Sequence, residues 1–384
     1  MSSTEYTSAS FSQWVQAGRP LTLLLGLSSS VTGVAVAWMA TTDHSGNWYT
    51  VALLCILTTL LLQIGANYID DYADGVRGLD SGRSFSPQVA SSREASEVSQ
   101  LAQAAGPAGS ANLADTAHQQ AEPAASQDLA QVFEPHERVL GPARLVASGV
   151  NPRSVLTAAL VCFALACATG IAATVLTGRW KLLLIGAACL FAAWSYVCKP
   201  LRLGSHALGE VLVFAVFGIA AVCGTQYALV GFASAIGWFA AASMGFTAVA
   251  VLLINNTRDL RVDKAHGKVT LSVLTGHIGS VAIMRFALIL AGIATLIPAV
   301  WTRGSSLFVN INLMLNSGSP AFVVNIVALV LAVCPFFLAL LNPVSFERAL
   351  SDYQRSFTLT CILDLALALD FILMAVAVTP IPIM

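Results

Sequence analysis

Two stretches of this 384-residue chain gather the side chains best suited to chemistry. They are NYIDDYADGVRGLD, with Asn67, Asp70, Asp71, Asp74 and Asp80, and NNTRDLRVDKAHGK, with Asn255, Asn256, Asp259 and Asp263. Together they hold six of the chain's twenty acidic residues. At about 100° per residue a helix puts Asn67, Asp71 and Asp74 on one narrow face with Asp70 beside it, and sets Asp259 and Asp263 one turn apart. Carboxylates crowded in this way repel one another and are costly near hydrocarbon, so a structural role calls for a compensating cation. Mg2+ meets that need, because it takes one or two carboxylates together with phosphate oxygens and water. Two such clusters facing each other are expected to hold a diphosphate between metals. The plainer alternative is a pair of solvated helix ends whose Asp residues meet nearby Arg and Lys.

Arg77, Arg144, Lys199, Arg202, Arg258 and Lys268 fall in the segments nearest these carboxylates. The arginine fork matches phosphate oxygens and lysine supplies a point charge; for Arg202, the general enrichment of cytoplasmic loops in positive charge is explanation enough. Tyr68, Tyr72, Tyr196, Phe214 and Phe217 lie beside the motifs. Their π faces would shield an allylic cation formed as diphosphate leaves, although interfacial tyrosines also act as membrane anchors.

The elements that carry these residues must be membrane helices. The chain is 57% hydrophobic and 10% charged with a mean hydropathy of +0.76, against roughly 25% charge in soluble domains. Apolar stretches of about 20 residues, the length that crosses a bilayer, are expected near 20–40, 48–70, 154–176, 180–197, 208–231, 235–257, 279–301, 320–341 and 357–378. The predicted fold is therefore all-α, an integral membrane bundle of nine transmembrane helices. With the N-terminus in the cytoplasm, fifteen of the nineteen Lys and Arg residues fall in cytoplasmic segments, as the positive-inside rule requires. That orientation puts both Asp-rich motifs on the cytoplasmic side of a plasma-membrane protein. A cleaved signal peptide is the weaker reading, since the first apolar run is too long for one.

Three parts follow along the chain. Residues 1–83 hold the first two spans and the first Asp-rich motif; 138–384 hold spans three to nine and the second. Between them, 84–137 is rich in Ala, Ser and Gln and nearly free of aromatics, and is expected to be a disordered cytoplasmic insertion. The eight cysteines show no metal-ligand spacing and are read as packing residues. A net charge of −1 gives no sign of a nucleic-acid partner. Asp364 and Asp370 fall inside the ninth span, where a carboxylate is a functional candidate by default. They would be the essential charges if the chain were instead a transporter.

The motifs NYIDDYADGVRGLD, GPARLVASG (141–149), GEVLVFAVFG (209–218), GTQY (224–227) and NNTRDLRVDKAHGKVTLSVLTG (255–276) resemble the UbiA-type intramembrane prenyltransferases. Within them, the chain looks most like the 1,4-dihydroxy-2-naphthoate polyprenyltransferases of menaquinone synthesis. The resemblance covers nearly the whole chain apart from the insertion. It implies a first Mg2+ on Asp71, Asp74 and Asn67, a second on Asp259, Asp263 and Asn256, and a diphosphate pocket lined by Asp80, Arg144, Arg258 and Lys268. The family usually has Asn-Asp where this chain has Asp70-Asp71, so Asp70 either adds a ligand to the first metal set or points away from it. The implied substrates are a polyprenyl diphosphate, its tail among membrane lipids, and 1,4-dihydroxy-2-naphthoate. Tyr196 and Tyr72 would face the reacting groups and Lys199 the phosphate. Demethylmenaquinone would be the product, with diphosphate and CO2 released. Another aromatic acid, such as 4-hydroxybenzoate, is the alternative acceptor.

Overall fold

The computed structural model describes residues 6–78, 80, 83, 143–317, 320–342 and 350–378. The insertion expected at 84–137 lies outside them. The described elements are helical: α1 (Phe11–Ala17), α2 (Pro20–Ala40), α3 (Trp48–Val76), α4 (Pro152–Thr177), α5 (Lys181–Val197), α6 (Gly209–Val230), α7 (Ala235–Arg258), α8 (Leu260–Ala265), α9 (Leu271–Ser317), α10 (Pro320–Leu341) and α11 (Leu350–Val378). Seven of these helices contain stretches long and apolar enough to cross a membrane, which makes this a multi-pass membrane protein. Lys181–Val197 and Ile326–Leu341 are shorter apolar helices.

Helix ends differ from the expected ones where the sequence lacks a breaker. α3 does not stop at Asp70; it continues to Val76, because nothing interrupts it before Gly78, whose φ of 74° few other residues adopt. Asn67, Asp70, Asp71 and Asp74 consequently lie on the last turns of α3, on the helical spacing expected of them, and Asp80 lies beyond its end. The second motif straddles the end of α7 and the short α8, which begins at Leu260 directly after Asp259. α9 consists of two helical pieces that meet at Gly276, whose backbone (φ 69°, ψ −179°) is not helical; a short first piece begins at Leu271, and the second begins close to the expected 279.

The chain divides into two compact units: Met1–Gly18 with Tyr68–Thr157, and Arg19–Asn67 with Ala158–Met384. In the second unit α7 is the central helix and packs on α2, α6, α9 and α11. Its buried face is built from small residues, including Ala240, Ala241, Ser243, Gly245, Thr247 and Ala248. Apolar contact gains little between helices already in lipid, so close backbone approach and interhelical hydrogen bonds must hold them. A Cβ at Gly218 would lie 2.5 Å from the Ala241 carbonyl oxygen, and one at Gly33 2.7 Å from that of Val222. Polar pins cross the same helices. Ser243 and Thr295 hydroxyls meet at 2.7 Å, Gln226 Nε2 donates to the Val36 carbonyl at 3.1 Å, and Thr247 Oγ1 donates to Asp364 Oδ1 at 2.6 Å. Asp364 is thus tied into the α7–α11 contact, and Asp370 is fully enclosed too. All eight cysteines are free thiols.

Within α6, Phe214–Cys223 is wound as a π-helix, a form that recurs at functional sites. The Phe214 ring lies 4.9 Å from that of Phe246 of α7, tilted by 59°, and close against Gly245.

The close approach at Gly218 is directly testable. Gly218→Val places side-chain atoms against backbone that cannot yield, so thermal unfolding in detergent should show a loss of about 1–3 kcal/mol, the usual range for overpacking. Gly186→Ala, with open space around it, should leave the transition unchanged or slightly raised.

Candidate active site

In the first unit, the end of α3 is clasped to the segment preceding α4. Asp71 is fully buried, and its carboxylate accepts the backbone N–H groups of Leu145 (2.9 Å) and Val146 (3.2 Å). Gly75, one turn on, admits the loop: a Cβ there would sit 2.4 Å from the Val146 side chain. These bonds hold Arg144 in place. Its guanidinium, 4% exposed, lies between Asp70 (Nη2 to Oδ2, 3.3 Å) and Asp80 (Nε to Oδ2, 3.5 Å). Among the described residues its Nη1 meets no acceptor. Asp74 pairs with Arg77 at 2.5 Å and Asp80 with Arg83 at 3.0 Å. Tyr68 donates its hydroxyl to the Trp14 carbonyl at 3.0 Å and meets the Trp14 ring edge-on, which ties α1 to this end of α3.

In the second unit, Arg258 forms a fork on its neighbour Asp259, with both N···O distances 2.8 Å. Lys268 Nζ approaches Asp263 Oδ1 at 3.5 Å. The turn that returns Lys268 to Asp263 passes through Gly267 at φ 68°, and Lys268 N–H donates to the Asp263 carbonyl at 2.9 Å. Asn256 Nδ2 donates to Glu210 Oε1 at 3.0 Å. Asn67, on the part of α3 in this unit, donates from Nδ2 to Thr22 Oγ1 at 3.3 Å. The Tyr196 ring is seated over two glycines, since a Cβ would come within 2.8 Å of it at Gly204 and 3.3 Å at Gly209. The loop leading to Gly209 is stitched to the segment after Lys268 by Val269 N–H to Ser205 O (3.1 Å) and Ala207 N–H to Val269 O (2.8 Å).

Each motif therefore gathers carboxylates, a side-chain amide and cations. Lys199 is exposed and Tyr72 half-buried, and neither engages these carboxylates among the described residues. The donor set is one of hard oxygens, as Mg2+ prefers. Among the described residues no three His, Cys, Asp or Glu side chains converge as an ion cage; Mg2+ needs none, since it draws most of its ligands from water and phosphate. The buried Arg144, with a donor to spare, suits an anionic oxygen. These residues fit a metal-bound diphosphate.

Comparison with known proteins bears directly on this pattern. A model described as the UbiA prenyltransferase family matches residues 138–333. The 1,4-dihydroxy-2-naphthoate octaprenyltransferase of Mycobacterium leprae is 31% identical over 296 residues, 77% of this chain and 80% of that protein. The chain belongs to the UbiA prenyltransferase family. The enzyme of the same name from Mycobacterium tuberculosis is 31% identical over 291 residues, 75% of this chain and 78% of its own length, and that from Escherichia coli 25% over 267 residues, 70% of each.

Two features of this UbiA-family protein were not singled out from sequence. One is Glu210, whose only signal was an acid opening an apolar helix. The other is the use Asp71 makes of its carboxylate, which nothing local in NYIDDYADG reveals because its partners are 74 and 75 residues away.

The Asp71 clasp predicts a contrast between adjacent carboxylates. Asp71→Asn exchanges one acceptor oxygen for a donor, so one of the two backbone bonds is lost, a charge-assisted bond of roughly 1.5–3 kcal/mol. Hydrogen–deuterium exchange should rise by at least an order of magnitude at the Leu145 and Val146 amides in Asp71→Asn and stay near wild type in Asp70→Asn. Equal protection in both variants would contradict the clasp.

Proposed function

We propose that this protein transfers a polyprenyl group from polyprenyl diphosphate to 1,4-dihydroxy-2-naphthoate, with loss of diphosphate and CO2, in the menaquinone branch of the family. Two relatives of that name, each 31% identical, support the choice of acceptor. The structural observation that carries the reading is Arg144, a buried guanidinium fixed at a helix end among carboxylates with a donor unspent.

On this reading the fold is a nine-helix bundle in the plasma membrane, with both Asp motifs at the cytoplasmic side and the isoprenoid tail among the lipids. Asp70, Asp74 and Asn67 would hold one Mg2+, with Asp71 either adding a ligand or holding the Arg144 loop in place; Asn256, Asp259 and Asp263 would hold the other. Bound there, the metal supplies Lewis-acid neutralisation of the departing diphosphate. Arg144, Arg258 and Lys268 donate to diphosphate oxygens as negative charge builds on them, and donors fixed before the reaction need no reorganisation. Asp80 holds Arg144 through Nε, beside the Nη2 that meets Asp70. The face of Tyr196, held by Gly204 and Gly209, stabilises the allylic cation. The ring carbon bearing the carboxyl group then attacks, and CO2 departs with its bonding electrons returned to the ring.

The test pairs substitution with chelation in purified, lipid-reconstituted protein. Asp74→Asn, Asp259→Asn and Asp263→Asn should each lower kcat by orders of magnitude, because several kcal/mol of transition-state stabilisation depend on them. Unfolding should stay near wild type. EDTA should abolish wild-type turnover and Mg2+ restore it, while Arg144→Ala should weaken use of the prenyl donor by roughly 1.5–3 kcal/mol. Near-normal, chelator-resistant activity in the Asp variants, with inactive Asp364→Asn and Asp370→Asn, would instead favour a transport function.

A further inference from the structure

We infer that Glu210 is a positioning residue that fixes the side-chain amide of Asn256, so that its oxygen rather than its nitrogen is presented to the metal; the inference rests on the metal-dependent reading above. The two ends of an asparagine amide are nearly equal in shape, and only hydrogen bonds decide which way it points. An ionised carboxylate accepts and does not donate. The 3.0 Å bond from Asn256 Nδ2 to Glu210 Oε1 therefore commits the nitrogen end and leaves Oδ1 as the end turned away. Both residues are buried, at 8% and 7% exposure, so bulk water does not compete for the bond. Without Glu210 the amide would be free to rotate and offer N–H groups, which repel a cation.

The surroundings hold Glu210 still. It opens α6 next to Gly209, where the missing side chain lets Tyr196 lie close. The loop before it is bonded through Ser205 and Ala207 to Val269, the residue after Lys268. The loop that leads to Glu210 is thus hydrogen-bonded to the residue after Lys268 and packed under the Tyr196 ring. Groups that orient ligands in this way commonly affect metal affinity 10- to 100-fold.

The experiment measures Mn2+ binding, by the electron paramagnetic resonance signal of the free ion, to detergent-solubilised full-length protein with inorganic diphosphate present. Glu210→Gln retains an acceptor oxygen for Asn256 and should bind Mn2+ within about two-fold of wild type, while Glu210→Met should bind roughly 10- to 100-fold more weakly. Because Glu210 acts through Asn256, Glu210→Met added to Asn256→Ala should cost nothing beyond Asn256→Ala alone. Should Glu210→Met fail to unfold cooperatively, the pair Asn256→Asp and Asn256→Asp with Glu210→Gln decides. The first sets two carboxylates against each other and should bind weakly; the second lets glutamine donate and should recover binding. Wild-type affinity in Glu210→Met, a further loss in the double variant, or no recovery in the second pair overturns the inference alone. If wild-type protein binds no Mn2+, the metal-dependent reading falls and takes the inference with it.

Discussion

Every backbone N–H and C=O inside a bilayer must find its partner within the protein, and this requirement decides where chemistry can be done in a chain of this composition. Long uninterrupted helices satisfy the backbone but leave charged side chains no inexpensive place along their length. The carboxylates of both motifs accordingly sit at or just past the ends of α3 and α7, where Arg77, Arg83 and Arg144 meet the first set and Arg258 and Lys268 the second. Asp71 shows how closely the two demands are joined. Its charge is accommodated by two backbone N–H groups of a loop that would otherwise be unsatisfied, and the same bonds place Arg144 between Asp70 and Asp80.

Packing follows from the same constraint. Because burying apolar surface gains little among lipid chains, α7 is held by backbone proximity at small residues and by a few strong polar contacts. The Thr247–Asp364 bond belongs to this set. A carboxylate in the middle of a span invites a transport interpretation, yet here it joins two helices through a threonine hydroxyl. The glycines serve function as well as packing: Gly204 and Gly209 seat Tyr196, and Gly75 admits the loop that carries Arg144.

Much of this was legible in the sequence, for physical reasons that can be named. Apolar runs of bilayer length are a strong signal: nine spans were expected, and the seven described helices long and apolar enough to cross match seven of them within a few residues at most ends. One end that moved, at Val76, did so because the polar residues after Asp70 carry the helix on, with Gly75 keeping helical backbone inside it. The helical spacing of Asp71 and Asp74 was visible, as was the abundance of nearby cations. Their pairing was not. Arg144 meets Asp70 across 74 residues, much of it the intervening insertion, and Asn256 meets Glu210 across 46. Hydrophobic periodicity reports a residue's own helix and carries no information on such distant partners.

The central claim concerns bonds made and broken, so the most direct measurement follows the atoms. Protein reconstituted in lipid vesicles would be supplied with geranylgeranyl diphosphate, Mg2+ and 1,4-dihydroxy-2-naphthoate labelled with 14C at the carboxyl carbon. The account predicts that labelled CO2 and diphosphate are released in equal amounts, each matching the unlabelled prenylated ring formed, and that all three cease together on chelation. A prenylated product that keeps the label, or diphosphate released with no prenylated ring, would contradict it.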